Sequence, residues 1–400
     1  MDKNNNYISF HKPCIGQEEI DEVVACIRSG WMTAGPRARK FEEDFARYID
    51  AKFAVALNSC TAALHLALEA IGIKEGDLVL VPTMTFAATA EVVRYFNAIP
   101  VLVDSNDFDF CMDMDAAEKI LEKIAKGAKI RGVPEKHGTV KAIMPVHFGG
   151  RPADIPRCRE ICKKYGLLSI EDCAHVCPSY YLNSEGKWTM AGSEADIACF
   201  SFYANKTICT GEGGMATTNN EVWADRIRVM SLHGISKDAW KRFSKSGSWF
   251  YEIVAPGFKY NITDIAASLG IHQLERSNDL WEKRKEKAAL YNKLFDGFEG
   301  IVLPTERKDT KSSWHLYNIR VDSKVRNSLI DRLKEKNIGT AVHYIPLHFH
   351  PYYREKYGFK EGDFPVAEKL YKESVSLPLY PDLSDEELSF VAETLMKEIK

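Results

Sequence analysis

A single lysine stands in the run "SFYANKTICTGEGG" (residues 201–214), among small, polar and glycine residues. Lys206 is the only charged side chain between residues 197 and 211. A surface lysine is the plain explanation. Burial in so uncharged a stretch would instead lower its pKa and leave the amine free to attack a carbonyl. Ser201 precedes it by five residues, and Gly211, Gly213 and Gly214 follow. Asp172 closes an apolar run within "IEDCAH" (170–175), where a carboxylate must find a partner or stay wet. It could cap the next turn, or pair with a protonated ring nitrogen and keep it charged. His175 lies on the same turn.

Two further stations complete the set. "NSCTAAL" (58–64) is a turn of small residues between an apolar run and a helical one. Backbone N–H groups and hydroxyls at such a helix start form an anion site, although Ser59 or Thr61 could simply be an N-cap. Phe86 in "PTMTFAATA" (82–90) is either a core aromatic or a ring stacked on a flat ligand. Together a nucleophilic lysine, an acid for a ring nitrogen, a stacking ring and an anion pocket describe a site for a planar pyridinium aldehyde with a phosphate. That ligand is pyridoxal 5′-phosphate.

These residues need a scaffold that carries them to one place. From residue 53 onward short apolar runs alternate with helical segments: "FAVAL" (53–57), "LVLVP" (78–82), "IPVLVD" (99–104), "KAIMPV" (141–146), "LLSIED" (167–172) and "DIACFSF" (196–202). This pattern predicts an α/β fold with a mostly parallel central sheet and helices on both faces, whose chemistry lies at the carboxyl ends of the strands. Before it, residues 17–28 space apolar side chains as a helix closed by Gly30, and a loop leads to a second helix ending near Tyr48. The spacing predicts one long helix over 271–295, then strand (315–322), helix (326–338) and strand (340–345), closed by a helix after Ser384. The chain thus divides into a large domain, 1–270, and a smaller C-terminal α+β domain, 271–400.

Composition narrows the function classes. The 400 residues are 45% hydrophobic and 27% charged, with a formal net charge of −3. That is ordinary globular composition and lacks the basic excess of a nucleic-acid binder. No signal peptide or membrane-spanning run is read, so a cytoplasmic enzyme is expected. The ten cysteines are scattered. Cys158/Cys162 and Cys173/Cys177 are spaced i, i+4 without a CxxC, and His343, His348 and His350 show no ligand set, so no metal is expected.

The chain resembles the DegT/DnrJ/EryC1/StrS family of sugar-nucleotide aminotransferases over nearly its whole length. The resemblance rests on "GWMTAGP" (30–36), "NSCTAALHLAL", "PTMTFAATA", "IEDCAH", "SFYANKTICTGEGG", "PGFKYNITDIAAS" (256–268) and "SLPLYPDLSDEEL" (376–388). It implies the type I aminotransferase fold and pyridoxal phosphate. Lys206 would be the Schiff-base lysine and proton shuttle, Asp172 would pair with the pyridine nitrogen, and Phe86 would stack on the ring. Cys60, Thr61 and Ser201 would hold the phosphate, and His175 would lie near the ring substituents. The "GFKYN" loop would reach a neighbouring subunit's site through Lys259 or Asn261, which implies a homodimer. Thr33, His343 and Tyr344 would face the sugar.

Relatives that dehydrate a sugar carry histidine at the lysine position. Lys206 therefore points to transamination rather than dehydration. The expected reaction moves an amino group from L-glutamate to a nucleotide-linked keto sugar, foremost a UDP-linked 4-keto-6-deoxyhexose for lipopolysaccharide, capsule or glycan. GDP- and dTDP-linked sugars and amination at C-3 stay open.

Overall fold

The computed structural model describes residues 7–236 and 250–399. Thirteen strands occur in chain order: β1 Phe53–Leu57, β2 Leu78–Pro82, β3 Ile99–Val103, β4 Val140–Ile143, β5 Leu168–Cys173, β6 Tyr180–Leu182, β7 Trp188–Met190, β8 Ile197–Ser201, β9 Gly214–Thr218, β10 Ile301–Val302, β11 Thr310–Lys311, β12 Tyr317–Val321 and β13 Ser374–Leu377. The helices are α1 Gln17–Ser29, α2 Pro36–Ile49, α3 Cys60–Ala70, α4 Ala88–Arg94, α5 Met114–Ala125, α6 Ile155–Tyr165, α7 Glu221–Met230, α8 Asp264–Glu275, α9 Ser277–Leu294, α10 Ser323–Glu335, α11 Pro351–Tyr357, α12 Pro365–Glu373 and α13 Asp385–Glu398.

Seven strands form the central sheet in the order β1-β9-β8-β5-β4-β2-β3. The five strands from β8 to β3 run parallel to one another, and β9 is antiparallel to both of its neighbours. Strands β2 and β3 are buried at every position, which explains their unbroken apolar sequences. The register delivers the site. Gly214, at the start of β9, pairs with Leu57 at the end of β1 and with Ser201 at the end of β8. On the other side of β8, Asp172 pairs with Cys199. The loops after β1, β5 and β8 therefore leave the same edge of the sheet side by side.

Gly214 is required by packing. A Cβ there would lie 2.3 Å from the Ser59 carbonyl carbon and 2.5 Å from the Cys60 nitrogen. Only glycine lets β9 start directly against the first turn of α3.

Two apolar clusters fill the interior. One surrounds the central sheet and includes Leu347, Tyr353, Phe359 and Leu370 from the later chain. The other gathers Ala288, Tyr291, Tyr317, Ile319, Leu333, Val375 and Leu395 around a three-stranded sheet, β10-β12-β13.

Two expectations are corrected. The long helix over 271–295 is two helices, parted at Arg276, whose φ/ψ of −94°/3° leaves the helical region. Arg276 is drawn aside to pair with the buried Glu19 at 2.8 Å and with the Cys14 carbonyl at 2.9 Å. The strand expected over 340–345 shrinks to a single bridge between Ala341 and Ser376. There His343 bonds the Ser376 hydroxyl at 2.9 Å instead of continuing a ladder, and the third strand of the small sheet comes from β13.

Candidate active site

Lys206 sits on the turn after β8, where its backbone N–H donates to the Tyr203 carbonyl at 2.9 Å. Burial pulls its amine down from 10.5 to about 8; Cys60 and Asp172 oppose that shift and Arg284 adds to it. The amine is thus within electrostatic reach of both the start of α3 and the end of β5.

Asp172 is buried, and burial pushes its carboxyl above the ordinary range. The Thr89 hydroxyl donates to Oδ2 at 2.8 Å and the Ala174 N–H to Oδ1 at 3.1 Å. Because Thr89 donates to the acid, Thr85 must supply the proton of the 2.8 Å contact between the two threonine hydroxyls. A carboxylate has about four lone-pair sites, so capacity remains for a further donor. A cationic N–H is the partner that would offset the cost of burial.

The histidines around the lysine have determinable states. His175 Nδ1 accepts the Gly149 N–H at 3.1 Å, so the ring proton sits on Nε2 and is donated to the Tyr344 hydroxyl oxygen at 2.8 Å. The Tyr344 hydroxyl proton is then free for another acceptor. Burial, reinforced by Lys206, holds His175 and His315 far below the usual histidine range and brings His343 to about 4. Burial also lowers His11, to about 3, while its Nε2 bonds the Ala204 carbonyl at 3.1 Å. All four rings are neutral at pH 7. Arg284 reaches the same neighbourhood from α9 and is 1% exposed; its Nη1 donates to the carbonyls of Trp314 at 3.4 Å and Leu379 at 3.0 Å.

The start of α3 is an anion cradle. Ser59 is its N-cap, and the Ser59 hydroxyl accepts the Ala62 N–H at 3.1 Å. The N–H groups of Cys60 and Thr61 point out of the first turn, with no acceptor among the described residues. Cys60 is buried and its thiol donates to the Cys199 carbonyl at 3.4 Å. Ser201 keeps its hydroxyl nearly free, in a 3.4 Å contact with the Tyr203 N–H.

Other expected residues lie further out. Phe86 is 63% exposed, so it is no core aromatic, and its ring centroid lies 6.1 Å from that of Tyr344. Thr33 is exposed, and its carbonyl accepts the Asp264 N–H at 3.2 Å. Lys259 and Asn261 bond each other at 2.6 Å, and among the described residues neither bonds Lys206, Asp172 or His175. Asn261 lines a cavity of about 250 Å³ with Asn58, Thr210 and Glu212, beside the α3 cradle. Thr85, Thr89, His315, Arg284 and His11 are not among the residues that the sequence singles out. The threonines carried a signal, an i, i+4 pair beside Phe86. The other three come from distant segments and carried none.

One residue before Asp172, Glu171 points to the opposite side of β5. His147 Nδ1 accepts the Ala153 N–H at 3.0 Å, so His147 Nε2 donates to Glu171 Oε2 at 3.0 Å, joined there by the Gly192 N–H at 3.0 Å. With Cys173, this is the one grouping among the described residues whose ligand atoms are close enough for a metal ion. Of the cysteines and histidines considered as ligands from the sequence, Cys173 alone belongs to it.

An amine of lowered pKa, a buried acid and an anion cradle at the carboxyl end of a doubly wound sheet define an enzyme that attacks carbonyls with a lysine. The chain belongs to the DegT/DnrJ/EryC1/StrS aminotransferase family, whose model matches residues 13–396. It is 45% identical over 396 residues to an uncharacterized protein of Methanocaldococcus jannaschii, covering 98% of this chain and 97% of the other. It is 42% identical over 405 residues to the spore coat polysaccharide biosynthesis protein SpsC of Bacillus subtilis, covering 100% and 99%. Among solved structures, a protein of Streptococcus pneumoniae described as a sugar aminotransferase, in its PLP form, superposes with a TM-score of 0.86 at 34% identity, covering 98% of both chains.

Proposed function

We propose that this chain is a pyridoxal-phosphate-dependent aminotransferase that moves an amino group from L-glutamate to a nucleotide-linked keto sugar. The observation that carries this reading is the Lys206 amine, drawn down to about 8 and in electrostatic contact with both Asp172 and Cys60. The residues present fit the cofactor: Asp172 has spare acceptor capacity, and the N–H groups of Cys60 and Thr61 have no acceptor among the described residues. When bound, pyridoxal phosphate supplies an aldehyde for an amine to join and an electron sink for the carbanion formed at the amino donor.

The chain's own residues do the rest. Lys206 would hold the cofactor, and its amine would serve as the base that moves the donor's α-proton. Asp172 holds a proton on the cofactor's ring nitrogen. Cys60 and Thr61 by backbone, and Ser201 by hydroxyl, take the phosphate. Phe86 would stack on the ring, and His175 would be near its substituents. Thr33, His343 and Tyr344 meet the sugar, Tyr344 with the proton that His175 leaves it.

A polysaccharide-biosynthesis relative and a sugar-aminotransferase neighbour support a sugar as amino acceptor. Within that class we favour a UDP-linked 4-keto-6-deoxyhexose, feeding cell-surface glycan synthesis. We further place the working unit as a homodimer in the cytoplasm, with Lys259 or Asn261 reaching the partner's site, and the domain boundary near residue 270. Among the described residues no helix is long and apolar enough to cross a membrane. The test is the visible spectrum of cofactor-loaded protein, before and after glutamate and then with a panel of nucleotide-linked 4-keto sugars. The lysine-bound band should vanish with glutamate and return with one sugar. Protein that is folded and loaded but shows no such band would overturn the reading.

A further inference from the structure

We propose that His315 is a positioning residue for Lys206: as a neutral acceptor it holds the ε-amine aimed at the cofactor whenever that amine is free. This rests on the reading that Lys206 carries the cofactor. Among the described residues His315 is the only side chain that hydrogen-bonds the lysine amine, with Nε2 3.5 Å from Nζ. That distance is the outer limit for such a bond, and a flexible lysine stem can shorten it. The neighbouring rings are already engaged elsewhere. His175 spends both nitrogens on Gly149 and Tyr344, His343 bonds Ser376, and His11 bonds the Ala204 carbonyl.

The rest of the structure fixes His315 in place. The loop that carries it is fastened to the turn at Gly149–Gly150 after β4 and to His175 itself. The Ser313 N–H donates to the Gly150 carbonyl at 3.0 Å, the Leu316 N–H to the Gly149 carbonyl at 3.1 Å, and the Ser313 hydroxyl to the His175 carbonyl at 2.7 Å. Gly150, at φ +100°, permits this approach, because a Cβ there would lie 2.9 Å from the His315 nitrogen and 2.3 Å from the Ser313 hydroxyl. The ring lies against His175 with centroids 4.4 Å apart. For Nε2 to accept from lysine, the ring proton must sit on Nδ1, and Nδ1 is buried without a hydrogen-bond partner among the described residues. A fold that leaves this nitrogen unsatisfied while directing the other at Lys206 is arranged for the lysine rather than for core packing. Around the amine stand Asp172 and Cys60, the Arg284 cation, and the neutral rings of His11, His175 and His343.

The test uses the full chain stripped of cofactor and reloaded with pyridoxal phosphate. Attachment is followed by visible absorbance, and the attached lysine is identified by borohydride trapping and peptide mass spectrometry. H315F keeps an aromatic ring against His175 and removes the acceptor. It should slow attachment at Lys206 by roughly tenfold, the effect of one hydrogen bond to a charged group. H315Q, whose amide oxygen can stand near the Nε2 position, should recover to within about threefold of the parent rate by the same reasoning. Attachment by folded H315F at the parent rate overturns the proposal. Should H315F not fold, H315Q is compared with H315N, whose shorter amide cannot reach the lysine; equal rates overturn the proposal and a slower H315N supports it. An adduct on a lysine other than Lys206 in the parent chain overturns the assignment of Lys206 itself, a result separate from any effect at His315.

Discussion

Glu171 and Asp172 are consecutive carboxylates on one strand, both buried, and they face opposite sides of the sheet. Glu171 is enclosed by His147, the Gly192 backbone and Cys173, and it is 0% exposed. Asp172 is held by a threonine relay and one backbone N–H, and Lys206 acts on it from across the site. Burial alone therefore does not separate a structural acid from a reactive one. What separates them is direction: Glu171 is turned to His147, Gly192 and Cys173, whereas Asp172 is turned to Thr89 and Lys206 at the carboxyl ends of the strands.

Five outcomes would break or sharpen that contrast. The largest belongs to the amine that Asp172 faces. K206A should lower turnover by about 10⁴-fold or more and leave no lysine-bound cofactor, read by coupled assay and by borohydride trapping. D172N keeps the shape but cannot hold a proton on a ring nitrogen by charge. It should cost roughly 10²–10³-fold in turnover with the melting temperature nearly unchanged. E171A should do the reverse. It strands the His147 and Gly192 donors, so it should cost about 3 kcal/mol of stability in denaturant titration while turnover per folded molecule stays within about threefold. If E171A abolished turnover in folded protein, the division of labour between the two faces would be wrong. T89V removes the hydroxyl that orients Asp172, and about a tenfold loss in turnover is expected.

The smallest effect is a matter of pH. Amine labelling of Lys206 in cofactor-free protein should rise through pH 8 rather than through 10.5. Because the folded value lies below the unfolded one, the unfolded chain binds more protons between them, so stability rises as pH climbs from about 8 to 10.5. An inflection of the labelling rate near 10.5 would show the amine to be solvated.

Much of the scaffold was readable in advance because its signals are local. "LVLVP" and "FAVAL" became strands at the stated residues, and Gly30 ends α1 at φ +76°. The break at Arg276 was not readable, since it depends on Glu19, a residue more than 250 positions away in the chain. The strand expected over 340–345 failed for a similar reason. There Tyr344 gives its backbone N–H to Met84 and its hydroxyl oxygen to His175 instead of pairing in a ladder.

The same division holds for the site. Lys206, Asp172 and the turn at Ser59–Thr61 were marked by the sequence alone, because an isolated charge in an apolar stretch and small residues at a strand-to-helix turn are unusual where they stand. The sequence also marked β1 to β5 and β8 in chain order, but not β6, β7 or β9. Only the tertiary structure decided that Gly214 brings the ends of β1 and β8 together, that His315 meets Lys206 across 109 positions, and which ring nitrogens carry protons. The physical reason is range. Propensity and periodicity act over a few residues, whereas burial, hydrogen-bond partnership and the pKa values that follow from them are set by neighbours in space.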